Sequence, residues 1–137
     1  MTRHEIREQI FLVLFSLEFH EGENMRDLII RYLDETSEIK TTDIERAEIL
    51  SKTLSIADKI SDLDKKLDSV SKGRPVSRIG KAELALLRLA LYEMLYDDSI
   101  PSKVAVNEAV DLAKEYCGDE SPAFINGILA RLFKEDA

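Results

Sequence analysis

Cysteine is nearly missing from this chain: Cys117 is the only one in 137 residues. That excludes an internal disulfide framework and fits a reducing, cytoplasmic compartment. Glycine and proline are scarce, five and three residues, which argues against a turn-rich all-β protein. Tryptophan is absent and histidine appears twice, as His4 and His20. On one straight helix those histidines would stand about 24 Å apart at ~1.5 Å per residue, too far to share a metal. No metal site or cofactor is expected. There is no Gly-rich phosphate loop, no CxxC pair, no HExxH and no GxSxG, so an enzyme is disfavoured. Thr2 to Glu8 is polar and charged, unlike a secretory leader, and no uncharged apolar run reaches membrane length.

What is present is helical. Ile79 to Tyr96 is the most apolar stretch, rich in Leu, Ala and Met and free of proline. Its apolar surface goes most of the way round, so it reads as the central helix of an all-α domain. Arg88 stands amid its leucines and needs a partner or a route to water; a structural ion pair or a snorkelling side chain is the plain reading.

The other helices follow from spacing. Ile6, Ile10, Val13, Leu14 and Leu17 form one stripe of a first helix over Thr2–Phe19, with Thr2 and Glu5 spaced as a capping box. Phe11, Phe15 and Phe19 form a second line, long enough to leave one ring at the rim. Arg3 and Arg7 share a face at i, i+4 and oppose the helix dipole, a penalty that a bound anion would relieve. A second helix spans about Asn24–Thr36. One long helix is expected from Thr42 or Asp43 onward, its stripe running Ile44, Ala47, Leu50, Leu54, Ala57, Ile60, Leu63 and Leu67. Ser71–Ser77, with Gly73 and Pro75, is a break. It is the expected border between an N-terminal lobe of about 1–72 and a C-terminal lobe of about 76–137. A further helix starts near Pro101 or Ser102 and carries Val106, Ala109, Val110, Ala113 and Cys117 inward. A last one follows, with Ser121 as N-cap and Pro122 in its first turn. Gly127 inside that helix suggests close approach by a neighbour. Six to seven helices in two small bundles sharing a core is the expected fold.

The net charge is −8, unlike a general nucleic-acid coat. Yet between Ser71 and Leu89 five cations, Lys72, Arg74, Arg78, Lys81 and Arg88, face one acid, Glu83. Such a segment is either a local anion site or solvated loop chemistry, and charge alone does not choose. Cys117 reads as a small buried hydrophobe rather than a nucleophile.

Ile100–Leu129, IPSKVAVNEAVDLAKEYCGDESPAFINGIL, strongly resembles the signature of the NusB family of bacterial transcription antitermination factors. LRLALYEM, Leu87–Met94, and more loosely REQIFLVLF, Arg7–Phe15, also look like that family's motifs. The resemblance implies an all-α fold of two helical bundles. It implies binding of boxA-type single-stranded RNA together with NusE, a small-subunit ribosomal protein. It also implies indirect action on RNA polymerase by loading an antitermination complex. Motif by motif, it puts Arg3, His4 and Arg7 in a basic N-terminal arm, Phe15 at an aromatic position of the first helix, and Phe124 and Asn126 in the F-x-N-G motif. The family's arm is usually denser in arginine, so the resemblance implies either weaker RNA affinity or a contact shifted in part to Lys72, Arg74, Arg78 and Lys81. Lys81 joins the RNA-binding set on that ground.

Two rival readings stand beside this one. The same fold resembles the RNA-recognition domain of ribosomal RNA cytosine methyltransferases; that reading requires a Rossmann-like catalytic domain, which the 137 residues do not include. The other is a protein-binding or self-associating helical module, motivated by the acidic charge and the phenylalanine line. A homodimer of that kind would cover the RNA face.

Overall fold

The structure, a computed structural model, describes residues 1–20, 22–35, 41–71 and 73–136, with no side-chain detail beyond Phe133. Seven α-helices and no strand occur among the described residues. The chain divides into two compact units, Met1–Asp58 and Lys59–Ala137.

The first unit holds α1 (Arg3–Leu17), α2 (Met25–Glu35) and α3 (Asp43–Asp58), each packed on the other two. Side chains start every helix. Glu5 N–H donates to Thr2 Oγ1 at 3.1 Å while Thr2 N–H donates to Glu5 Oε1 at 2.9 Å, the reciprocal capping box expected from their spacing. Thr42 and Glu45 repeat it at α3, at 2.9 and 3.1 Å. Asn24 Oδ1 accepts from Asp27 N–H at 3.1 Å. The core is Ile6, Ile10, Phe11, Val13 and Leu14 from α1, Leu28, Ile29 and Leu33 from α2, and Ile49 and Ile56 from α3. A buried side chain of this size contributes about 1.5–3 kcal/mol relative to exposure.

Two expectations for α3 need correction. Its buried face is Ile49, Thr53 and Ile56, at i, i+4 and i+7, whereas Ile44 is 81% exposed and Ala47 also faces solvent. The buried stripe includes a threonine, so reading only aliphatic residues shifts it round the helix. The long helix is also two helices. Lys59 leaves the ladder with φ −104° and ψ 3°, and α4 (Ile60–Val70) begins at the next residue.

The second unit packs α4, α5 (Lys81–Tyr96), α6 (Ser102–Tyr116) and α7 (Ser121–Asp136). α5 is its centre, touching the other three, and every residue from Leu84 to Leu91 is buried. Arg88 lies within that run and finds the partner it requires in Asp64 on α4. Arg131 Nη1 donates to the Val70 carbonyl at 2.6 Å, satisfying an orphan group at the end of α4. The unit thus takes in α4, and the division falls at 58/59 rather than at the Ser71–Ser77 break. That break is a connector inside the second unit. Gly73 adopts φ 81°, Arg74 N–H reaches the Ser71 carbonyl at 3.3 Å, and a 3-10 turn covers Val76–Arg78. The close approach expected at Gly127 is not found: a Cβ there would meet nothing within 4 Å.

Candidate functional site

In the first unit the capping box makes Arg3, His4 and Arg7 the opening residues of α1, so their side chains are aimed by a fixed helix start rather than a loose tail. The three differ sharply in environment. Arg3 is 70% exposed at its side chain and forks onto Glu48 of α3, Nη1 to Oε2 at 2.6 Å and Nη2 to Oε1 at 2.8 Å. Glu48 is held below the ordinary carboxylate range, first by that hydrogen bond. A pair this exposed contributes only ~0–1 kcal/mol, so a stronger anion can displace Glu48. Arg7, by contrast, is 8% exposed. It shares a face with Arg3 by spacing but is part of the unit's interior. His4 is half-buried.

The phenylalanine line grades from inside to outside. Phe11 is buried, Phe15 is half-buried with its ring centroid 6.3 Å from that of Phe11, and Phe19 is 57% exposed. Phe19 meets Phe15 edge to face at 5.2 Å and 88°. Phe19 is therefore the most accessible ring of the line. The signal for it was its place beyond the C-terminus of α1, where the helix can no longer bury it. Between α1 and α2 lies a cleft of about 350 Å3 whose polar wall includes His20, Glu23 and Arg31. His20 Nδ1 sits 2.9 Å from Glu23. Tyr32 also lines it, its hydroxyl pKa pushed up by burial.

In the second unit, Lys81 is the first residue of α5 and is exposed. Phe124 stands in the first turn of α7, half-buried, and Asn126 is exposed beside the open surface of Gly127. The guanidinium of Arg74 lies over the Phe124 ring, its carbon 4.3 Å from the centroid. Arg74 Nη2 is also 3.7 Å from Glu83 Oε1. Arg78 is exposed, and Lys72 lies outside the described residues. Cys117 is half-buried; burial, with Glu83 nearby, pushes its thiol pKa up. That direction disfavours the thiolate form. Among the described residues, no cluster of His, Cys, Asp and Glu is placed to hold a metal ion. Nor is any helix long and apolar enough to cross a membrane.

Each unit thus carries a cation beside an aromatic ring or a displaceable carboxylate: Arg3 on Glu48 in one, Arg74 on Phe124 in the other. Cations for phosphate and half-exposed rings for bases are the components of single-strand binding. The sequence drew attention to Phe124 by motif and to Arg74 by charge, but did not join them.

The chain as a whole is similar to known proteins. The model of the NusB family matches residues 4–134. The chain is similar to the transcription antitermination protein NusB of Agathobacter rectalis, 44% identical over 131 residues, which is 96% of this chain and 98% of that one. Its structure is similar to that of T. maritima NusB, with a TM-score of 0.88, 30% identity, and coverage of 98% of this chain and 92% of the other. It is also similar to a chain in a crystal structure of the antitermination factors NusB and NusE in complex with double-stranded RNA. There the TM-score is 0.80, with 26% identity over 98% of this chain and 99% of the other.

Proposed function

The chain belongs to the NusB family, and from that membership we propose that it is a cytoplasmic, non-enzymatic transcription antitermination factor. It binds boxA-type single-stranded RNA jointly with NusE, the small-subunit ribosomal protein. Through that complex it acts indirectly on RNA polymerase.

The observation that carries this reading is the family match over nearly the whole chain, residues 4–134. The structural relative in complex with NusE and double-stranded RNA supports NusE and RNA as partners. The proposed RNA-binding set is Arg3, His4, Arg7, Phe15, Lys81, Phe124 and Asn126. Within it the exposed groups make the direct contacts. Arg3 exchanges Glu48 for a phosphate, and Lys81 supplies a second cation. Phe124, half-buried beneath the Arg74 guanidinium, backs that part of the site, and exposed Asn126 is available to base edges. Arg7, largely buried, holds the α1 surface in shape for Arg3, and half-buried Phe15 offers a second ring beside Phe19. The acidic remainder of the protein repels phosphate elsewhere and confines the RNA to these positions.

Size-exclusion chromatography with light scattering tests the proposal. The protein, NusE and a boxA-type RNA oligonucleotide are expected to co-elute as one complex. A homodimer whose mass is indifferent to both additions would favour the self-associating module instead.

A further inference from the structure

We propose that Arg74 is a nucleobase-stacking residue, its guanidinium held between the Phe124 ring on one face and an RNA base on the other. The inference rests on the RNA-binding reading and adds a residue and a contact mode to it. Arg74 lies 4.3 Å from the Phe124 centroid, yet its side chain is still 46% exposed. The guanidinium carbon thus lies against an aromatic ring and Nη2 near Glu83, while about half of the side chain meets solvent. An arginine plane is a recognised platform for a splayed-out base, and an underlying aromatic ring strengthens it through the cation–π interaction.

The backbone sets this platform in advance. Gly73 turns the chain at φ 81°, and Pro75 locks φ at −63° on the other side of Arg74. The turn bond from Arg74 N–H to the Ser71 carbonyl and the bond from Val76 N–H to Asp68 Oδ1, at 2.8 Å, pin the loop. Less side-chain entropy is then lost when a base arrives.

Glu83 decides what Arg74 recognises. Its carboxylate, 14% exposed at the side chain, lies 3.7 Å from the guanidinium. A phosphate brought to the same place would meet that negative charge. A base brings none and loses nothing to it. Arg74 is thus suited to stacking, while Arg3, whose carboxylate partner is itself displaceable, is suited to phosphate.

The test is RNA titration of the full-length protein with NusE present, using a boxA-type oligonucleotide over a salt series. Arg74→Ala and Arg74→Lys are compared with wild type; the second keeps the charge and loses the plane. Both variants should melt as wild type does, since the side chain is half exposed. Both should bind about tenfold more weakly, with the salt slope unchanged. 2-Aminopurine placed at successive RNA positions should be quenched at one position in the wild type and released in both variants. Wild-type affinity in Arg74→Lys, or a slope reduced by about 0.7 in Arg74→Ala as for a lost phosphate contact, would overturn the inference alone. A wild-type protein that ignores the oligonucleotide overturns the RNA-binding reading and this inference with it.

Discussion

Arg88 grips Asp64 with both prongs of its fork: Nε donates to Oδ1 at 2.9 Å and Nη2 to Oδ2 at 2.8 Å. The pair joins the central helix α5 to α4, with the arginine side chain 9% exposed and the aspartate 23%. It explains how a guanidinium sits in a run of leucines. Removing Asp64 takes two charge-assisted hydrogen bonds from a guanidinium that is largely buried. Asp64→Ala should cost about 3 kcal/mol in urea unfolding, toward the low end for buried pairs because Asp64 still touches water. A joint Asp64→Leu, Arg88→Met replacement should recover most of that loss. A single mutant within 0.5 kcal/mol of wild type would show that the pair is ornamental.

Thr53 is fully buried on α3, and its Oγ1 has no hydrogen-bond partner among the described residues. Thr53→Val keeps the shape and removes an unsatisfied polar atom. The variant should be more stable by about 1 kcal/mol, read as a higher denaturation midpoint. A destabilised Thr53→Val would place a partner on that hydroxyl.

The Arg3–Glu48 pair predicts a pH dependence. Glu48 titrates below its ordinary value of 4.5, first because Arg3 hydrogen-bonds its charged form. A carboxyl with a depressed folded pKa binds fewer protons folded than unfolded in this window. Its contribution is present above 4.5, declines as pH falls below that, and is gone beneath the folded value. Carboxyl carbon NMR should find Glu48 titrating lower in the wild type than in Arg3→Ala. Identical curves would mean that the pair does not persist in solution.

Gly127 has open space where a Cβ would go, and glycine inside a helix costs about 0.5–1 kcal/mol relative to alanine. Gly127→Ala should therefore stabilise the free protein by that amount. It should also weaken RNA binding, because the added methyl stands next to exposed Asn126. Stabilisation with unchanged RNA affinity would remove this stretch of α7 from the interface.

Much of this was legible from residue order alone, and the parts that were not share a cause. The central helix was plain because Leu84 to Leu91 is apolar apart from Arg88, so no choice of face was needed. The Thr2–Glu5 cap was plain because it is local. The inward face of α3 was misread because Thr53 takes an aliphatic's place, which only its neighbours reveal. The interruption at Lys59 has no glycine or proline to announce it. The Arg74–Phe124 stack joins residues fifty positions apart, and spacing carries no information over that distance. The unequal fates of Arg3 and Arg7 depend on which side of α1 the other helices cover.

The central claim is that a mostly acidic helical protein holds unpaired RNA through a few cations and half-exposed rings. The most direct test is a fluorescence-anisotropy titration of a boxA-type single strand, with and without NusE, across a salt series, for wild type and Arg3→Ala. The account predicts saturable binding that NusE tightens, and a salt slope smaller by about 0.7 in Arg3→Ala. No binding at low salt with NusE present, or equal binding of an unrelated single strand, would contradict it.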